Sequence, residues 1–293
     1  MSAPTIGATA ETIVRTDDGA RIAVTDLTPL APAPDGTGAA TVVLAHGWAA
    51  SRRVWGTVAD RLLRSGHRVV LYDQRGHGFS EPGSDPIGVE RLGRDLTAVL
   101  EAMDAVDAIA VAHSGGGFAA LAHATAAPEA AARRLGGLVL VNSAAHGAGN
   151  GDGEVRMMGS RLFSRALAAP RLGRRLLRHT MGRRADPRAL EVNRQMFAAT
   201  PARVRADCFG CSGGMDLRGA LPSVILPTTV LAGSEDRVIS PDLGRTIAET
   251  LPRARFESVP GTGHMLPLEA PVRVAGAVRE LASEVFGLRA PAR

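Results

Sequence analysis

The 293 residues contain no lysine, so all 34 basic positions are arginine, set against 29 acidic ones. With abundant alanine and glycine beside it, this bias reads as a base-composition habit of the genome rather than a functional choice. Aromatic residues make up only 3% of the chain. That scarcity, without a recognition motif beside the arginines, argues against nucleic acid as a partner, because single strands are gripped largely by stacking. The two cysteines, Cys208 and Cys211, form a lone C-x-x-C. Zinc or disulfide chemistry would need further ligands or a secreted setting, so they read as ordinary reduced thiols. No stretch approaches the roughly 18 uninterrupted apolar residues of a membrane span. The opening residues, MSAPTIGATAETIV, lack the basic region and apolar run of a secretory signal, which makes a cytoplasmic location the expectation.

What is present is ordinary globular composition, 45% hydrophobic and 22% charged, in a length that suits one large domain or one domain with an insertion. Glu11–Arg15 and Arg21–Leu27 flank the turn signal Asp17-Asp18-Gly19 and read as two strands. Pro29–Gly38 reads as a loop. Six short apolar runs then follow, Thr41–Ala45, Arg68–Tyr72, Ala108–Ala112, Gly137–Val141, Thr228–Ala232 and Arg255–Val259, as strands buried on both faces should look. Helical patterns occupy Ser51–Ser65, Val89–Met103, Gly116–Ala126, Pro241–Leu251 and Pro271–Phe286. Strand alternating with helix predicts an α/β fold: a doubly wound, mostly parallel sheet of about eight strands covered on both faces. Between Asn142 and Thr228 the pattern is helical without a strong strand, far longer than an ordinary connection. Residues 148–220 are therefore expected to form a helical cap inserted into a core made of 1–147 and 221–293, lying over the carboxyl edge where such sheets place their sites.

The sharpest local signal is Ala108-Ile-Ala-Val-Ala-His-Ser-Gly-Gly-Gly-Phe118, a strand running into Ser114 and then into a small-residue helix. Ala112 and Gly116 flank the serine at two residues on either side, as a tight strand-to-helix turn that exposes a serine hydroxyl requires. A phosphate cradle is the rival reading of the glycines, but the Gly-Lys-Ser/Thr ending is missing. A serine hydroxyl is a weak nucleophile until a base takes its proton, so a histidine and an orienting acid are needed elsewhere. Asp236 lies in Gly233-Ser-Glu-Asp-Arg-Val238 after one strand, with Glu235 as its rival. His264 lies in Pro260-Gly-Thr-Gly-His-Met265 after the next. His46-Gly47-Trp48 follows the third strand, where backbone donors for an oxyanion belong, and the N–H groups of Trp48 and Gly115 are the candidates. Trp48 and His113 are candidate pocket residues. His46 and His77 read as structural, and His179 as a residue of a solvated helix.

With these motifs in the order Ser, Asp, His, and with Asp73-Gln-Arg-Gly-His-Gly-Phe-Ser80 and His264-Met-Leu-Pro-Leu-Glu-Ala-Pro271 added, the chain resembles the α/β-hydrolase superfamily over nearly its whole length. It is most similar to the capped branch of esterases, cofactor-free haloperoxidases and polyketide-tailoring enzymes. Epoxide hydrolases and haloalkane dehalogenases share these motifs but carry aspartate where this chain has Ser114. The resemblance implies a serine hydrolase that cleaves a carboxylic ester of a small or medium apolar acyl substrate through an acyl-enzyme. The same triad would also serve thioester hydrolysis, lactone formation, perhydrolysis or C–C bond hydrolysis, and the fold also hosts non-catalytic receptors.

The predicted cap is basic. Arg171, Arg174, Arg175 and Arg178 share one helical face, with Leu172, Leu176 and Leu177 at positions suited to burial. A solvated face is the plain reading, and weak contact with anionic substrates or surfaces the functional one. No metal or other cofactor is expected, since no cluster has ligand spacing. Dialysis against a chelator is accordingly expected to leave the hydrolysis rate unchanged, whereas a loss restored by zinc would make Cys208 and Cys211 a metal site.

Overall fold

The computed structural model describes residues 6–31, 39–147 and 151–287. Eight strands form one sheet: β1 (Ile6–Arg15), β2 (Arg21–Pro29), β3 (Thr41–Ala45), β4 (Arg68–Tyr72), β5 (Ala108–His113), β6 (Leu135–Val141), β7 (Thr228–Gly233) and β8 (Ala254–Val259). Their order is β1-β2-β4-β3-β5-β6-β7-β8. The β1–β2 and β2–β4 pairs are antiparallel, and every other pair is parallel.

The helices of the sheet layers are α1 (Gly56–Arg64), α2 (Val89–Ala102), α3 (Gly115–Ala126) and α4 (Pro128–Arg134). Between β6 and β7 come α5 (Asp152–Met158), α6 (Arg161–Ala168), α7 (Pro170–Leu177), α8 (Pro187–Ala199) and α9 (Ala202–Cys211), and after β7 come α10 (Pro241–Thr250), α11 (Leu266–Glu269) and α12 (Pro271–Gly287). The expected helix over 51–65 divides into a 3₁₀ turn at Arg52–Trp55 and α1. No helix was expected at α4, a short segment led by Pro128 at its first turn.

Each central strand sends successive side chains to opposite faces, which gives two cores. Val42, Leu44, Val69, Leu71, Ile109 and Val111 pack with α1 and α12 through Val58, Leu62, Val274 and Leu281. Val43, Ala45, Val70, Ala110, Ala112 and Leu140 pack with α2, α3 and α10 through Leu96, Leu121 and Ile247. A buried Leu or Val is worth about 1.5–3 kcal/mol, so a slip of one residue in any central strand would move a whole set of apolar groups to the wrong layer.

The helical segment between β6 and β7 leaves and rejoins the sheet side by side. Gly147 N–H donates to the Met215 carbonyl and Leu217 N–H to that of Ala145, each at 2.8 Å. Residues 148–150 of the expected cap lie outside the described residues. On α7 the structure corrects one expectation: Leu177 is buried and Leu176 half-buried, but Leu172 is exposed. Two of the four arginines are also committed, Arg174 to Glu191 at 3.0 Å and Arg178 to the carbonyls of Gly182 and Arg183 at 2.7 and 2.6 Å. Arg171 and Arg175 are exposed.

A buried ion network fastens the first hairpin to the sheet's other loops. Arg75 is fully buried and takes Asp95 with Nε and Nη2 at 2.6 and 2.7 Å. It takes Asp18, from the β1–β2 turn, with Nη1 and Nη2 at 2.8 and 3.0 Å. Removing the cation would leave Asp95 with Arg91 and Asp18 with the Thr16 hydroxyl and the Asp85 N–H, and breaking a buried pair costs about 3–5 kcal/mol. Arg75→Met is expected to lower the unfolding free energy by about that amount in urea titration, while a loss under about 1 kcal/mol would show that the network contributes little.

Candidate active site

Strand β5 ends at His113, and Ser114 turns the chain into α3 with φ 52° and ψ −120°. A non-glycine residue in this region carries roughly 1–3 kcal/mol of strain and needs surroundings that hold it. The Ser114 N–H donates to the Val141 carbonyl of β6 at 2.9 Å, and the Ser114 carbonyl accepts from Gly117 N–H at 2.8 Å. Gly116 is forced by close approach, because a Cβ there would stand 2.5 Å from the Ala45 carbonyl oxygen. Gly47 allows the loop after β3 to lie on the turn, since its Cβ would come within 3.0 Å of the Ser114 Cβ.

Asp236 follows β7 and His264 follows β8, so parallel neighbours deliver both to the edge that carries Ser114. His264 Nε2 lies 3.0 Å from Ser114 Oγ, and His264 Nδ1 lies 2.8 Å from Asp236 Oδ2. Because the carboxylate accepts, Nδ1 carries the proton and Nε2 turns its lone pair to the hydroxyl. Asp236 Oδ1 also accepts from the N–H groups of Val238 and Ile239 at 2.8 and 3.0 Å, and Oδ2 from Asn142 Nδ2 at 2.6 Å. Burial pushes the Asp236 carboxyl up, but the facing His264 and the backbone N–H groups outweigh it and hold the group below its ordinary value. Glu235 points elsewhere, accepting Arg183 N–H at 2.7 Å. Asn142 escaped the sequence reading. Its one signal was a polar residue ending an otherwise apolar strand.

The N–H groups of Trp48 and Gly115 donate to nothing among the described residues, and Gly115 is the first residue of α3, where helix donors are unpaired. Two buried histidines hold the Trp48 loop. His46 Nε2 accepts Gln74 N–H at 2.9 Å while Nδ1 donates to the Gly47 carbonyl at 2.6 Å. His77 Nε2 accepts Ala49 N–H at 3.1 Å while Nδ1 donates to the Arg75 carbonyl at 3.0 Å. Burial pushes their pKa values down to about 4 and about 3, so both are neutral. His113, pushed to about 3 by burial, donates Nε2–H to the His264 carbonyl at 2.8 Å.

Ser114, His113, Trp48 and His264 share the wall of a cavity of about 410 Å³. The rest of its lining is mainly apolar, including Phe118 from α3, Met265 from the loop before α11, and Phe163, Leu177, Phe197 and Phe209 from the helical segment. His179, in the 3₁₀ turn Arg178–Thr180, is exposed, as the sequence reading expects, and borders the cavity's outer rim. Asn193, Ser212 and Arg237 add polar groups. Cys208 and Cys211 are free thiols, and burial pushes that of Cys211 up to about 12. No helix among the described residues is long and apolar enough to cross a membrane.

The profile of the alpha/beta hydrolase family matches residues 42–277, a span holding every strand from β4 to β8, nearly all of β3 and all three members of the hydrogen-bonded chain. The chain belongs to this family of hydrolases. It is 30% identical over 258 residues, 81% of this chain and 88% of the relative, to RutD of Caulobacter sp. (strain K31), provisionally named a carbamate hydrolase. Among solved structures, a hydrolase from Pseudomonas aeruginosa PA01 superposes with TM-score 0.75 at 28% identity, covering 92% of this chain and 97% of that one. A thermophilic esterase from Thermogutta terrifontis gives 0.75 at 25% identity, covering 95% and 99%.

The neutral histidines make the hydrolase acid-sensitive. Their ordinary value is 6.5, while in the fold His46 and His77 protonate only at about 4 and about 3. As pH falls through the interval between, the unfolded chain binds protons that the native chain refuses. Each such histidine lowers the unfolding free energy by ~1.4 kcal/mol per pH unit across that window. The urea midpoint is expected to drop from pH 7 to pH 5, and to drop less in His77→Gln; a midpoint independent of pH over this range would contradict the neutral assignment.

Proposed function

We propose that the protein is a serine esterase cleaving carboxylic esters with a small or medium apolar acyl group, and that Ser114, His264 and Asp236 carry the reaction. The observation that supports this reading is the unbroken chain Ser114 Oγ, His264 Nε2, His264 Nδ1, Asp236 Oδ2, at 3.0 and 2.8 Å, opening on an apolar cavity. As Oγ bonds to the ester carbonyl carbon, its proton passes to Nε2, and Asp236 stabilises the imidazolium. The carbonyl oxygen becomes an oxyanion, for which the N–H groups of Trp48 and Gly115 are the proposed donors. The tetrahedral carbon then expels the alcohol oxygen, which takes the proton from Nε2 and leaves an acyl-Ser114. Water attacks that acyl group with His264 again as base, releasing the acid and restoring the hydroxyl.

In this reading the helices between β6 and β7 act as a cap whose Phe163, Leu177 and Phe197 exclude water from the acyl group. A cavity of about 410 Å³ suits a compact acyl chain or ring rather than a long lipid.

Ser114→Ala is expected to lower turnover of a short-chain nitrophenyl ester by about 10⁴-fold or more with the fold retained. Asp236→Asn should cost a similar order, since an amide does not favour the required tautomer, while Glu235→Gln should cost little. Ser114→Ala activity within about tenfold of wild type would sink the mechanism, and a reversed order for the two acidic positions would sink the choice of Asp236. Parallel assays with thioesters and lactones separate ester cleavage from the other reactions open to the same groups.

A further inference from the structure

A second carboxylate serves the histidine loop without touching the histidine's ring. Glu269, the last residue of α11, points back at the glycine-rich loop that carries His264. Its Oε1 accepts from Met265 N–H at 3.1 Å, and both oxygens accept from Gly263 N–H, at 3.2 and 3.1 Å. These are the two residues flanking His264. The third partner comes from the helical segment: Gly182 N–H donates to Oε2 at 2.7 Å. All three partners are donors, so the site suits the ionised carboxylate. Burial raises its pKa above the ordinary value, and the three N–H bonds and the neighbouring His264 offset only part of that rise.

The same junction ties His264 to the helical segment through the main chain. The His264 N–H donates to the Thr180 carbonyl at 2.9 Å. Thr180 in turn takes a bond from Asn193 Nδ2 at 2.9 Å, and Asn193 lines the cavity. The two backbones are packed against each other, because a Cβ on Gly182 would stand 2.5 Å from the Gly261 carbonyl oxygen and one on Gly263 would collide with Met181 and Gly182. A loop of this kind belongs to no helix or strand, so its N–H groups have no regular partner. Glu269 supplies one charged acceptor for two of them and for Gly182 N–H across the junction, and such bonds are about twice as strong as neutral ones.

We infer that Glu269 is a positioning residue: its carboxylate fixes the His264 loop against the 180–183 segment, so that Nε2 stands at hydrogen-bond distance from Ser114 only when that segment is seated. The inference rests on the reading of His264 as the base. Glu269 reaches neither substrate nor the reacting atoms, and it acts through the loop.

The test is Glu269→Gln, nearly the same in shape, whose amide turns an NH₂ toward backbone donors and so loses at least one of the three bonds. Three quantities are read: melting temperature, kcat and KM on a nitrophenyl ester, and the downfield proton resonance of His264 Nδ1–H against Asp236. Misplacing a reacting group by about 1 Å costs on the order of 100-fold, so kcat is expected to fall about 10- to 100-fold with KM within about threefold. The Nδ1–H resonance should broaden or vanish by exchange. Glu269→Asp keeps the charge on a shorter arm and should recover part of kcat. A folded Gln variant with wild-type kcat and an unchanged resonance would overturn the inference, as would a loss confined to melting temperature. If the Gln chain does not fold, the Asp variant decides: lowered kcat at unchanged KM supports the inference, and wild-type kcat overturns it. If the wild type turns over no ester, the esterase reading falls, while the resonance comparison still tests Glu269.

Discussion

The carboxyl edge of the sheet is arranged around the unfavourable backbone conformation of Ser114, which shares a positive φ with Ala49 and Asn142 at the same edge. A serine at φ 52° and ψ −120° is not a local preference, so it survives only where neighbours leave the chain nowhere else to go. Here β5 runs through the middle of the sheet with every residue buried, and Gly116 of α3 lies hard against the end of β3. The same turn lifts the hydroxyl above the strands and starts a helix beneath it, which leaves the Gly115 N–H unpaired beside the hydroxyl. Gly47 follows from this constraint too, because any larger residue after His46 would push the donor loop off the turn.

Around that turn the molecule buries polar groups and pairs many of them, though Trp48 Nε1, His113 Nδ1 and Asn142 Oδ1 have no hydrogen-bond partner among the described residues. His46 and His77 accept backbone N–H groups with one nitrogen and donate to backbone carbonyls with the other, which is possible only for the neutral ring. Their loop is fastened further out by Arg75, whose guanidinium joins the first hairpin to α2 through two carboxylates. Buried polar groups are costly when unpaired and rigid when paired, so these bonds turn two loops into a solid rim for the cavity.

Three carboxylates within this edge show how the same chemistry is divided by backbone position. Asp236 meets the imidazole, Glu235 beside it accepts the Arg183 N–H of the helical segment, and Glu269 gathers the N–H groups on both sides of His264. Successive residues of a loop point in different directions, so neighbours in sequence reach different elements. The helical segment is therefore attached twice, at its paired ends near Gly147 and Met215 and again at the histidine loop. Its position and that of the proposed base are not independent.

The strands β3 and β4 run over the residues that the apolar runs mark, because a strand buried on both faces of a parallel sheet can contain little else. The order of Ser114, Asp236 and His264, each just beyond a strand, was likewise legible, since a parallel sheet brings all such loops to one edge. What periodicity does not encode is which side chains meet across that edge. Asn142 and Asp236 are 94 residues apart, and nothing local distinguishes that asparagine from one capping a turn. Leu172 fits a buried stripe on α7 and is exposed, because the helical segment has no sheet to impose its register. In the sheet, local pattern decided which residues leave water; the burial of the helical segment's residues, the pairing of one loop with another, and the seating of that segment on the histidine loop were decided by packing between parts of the chain far apart in sequence.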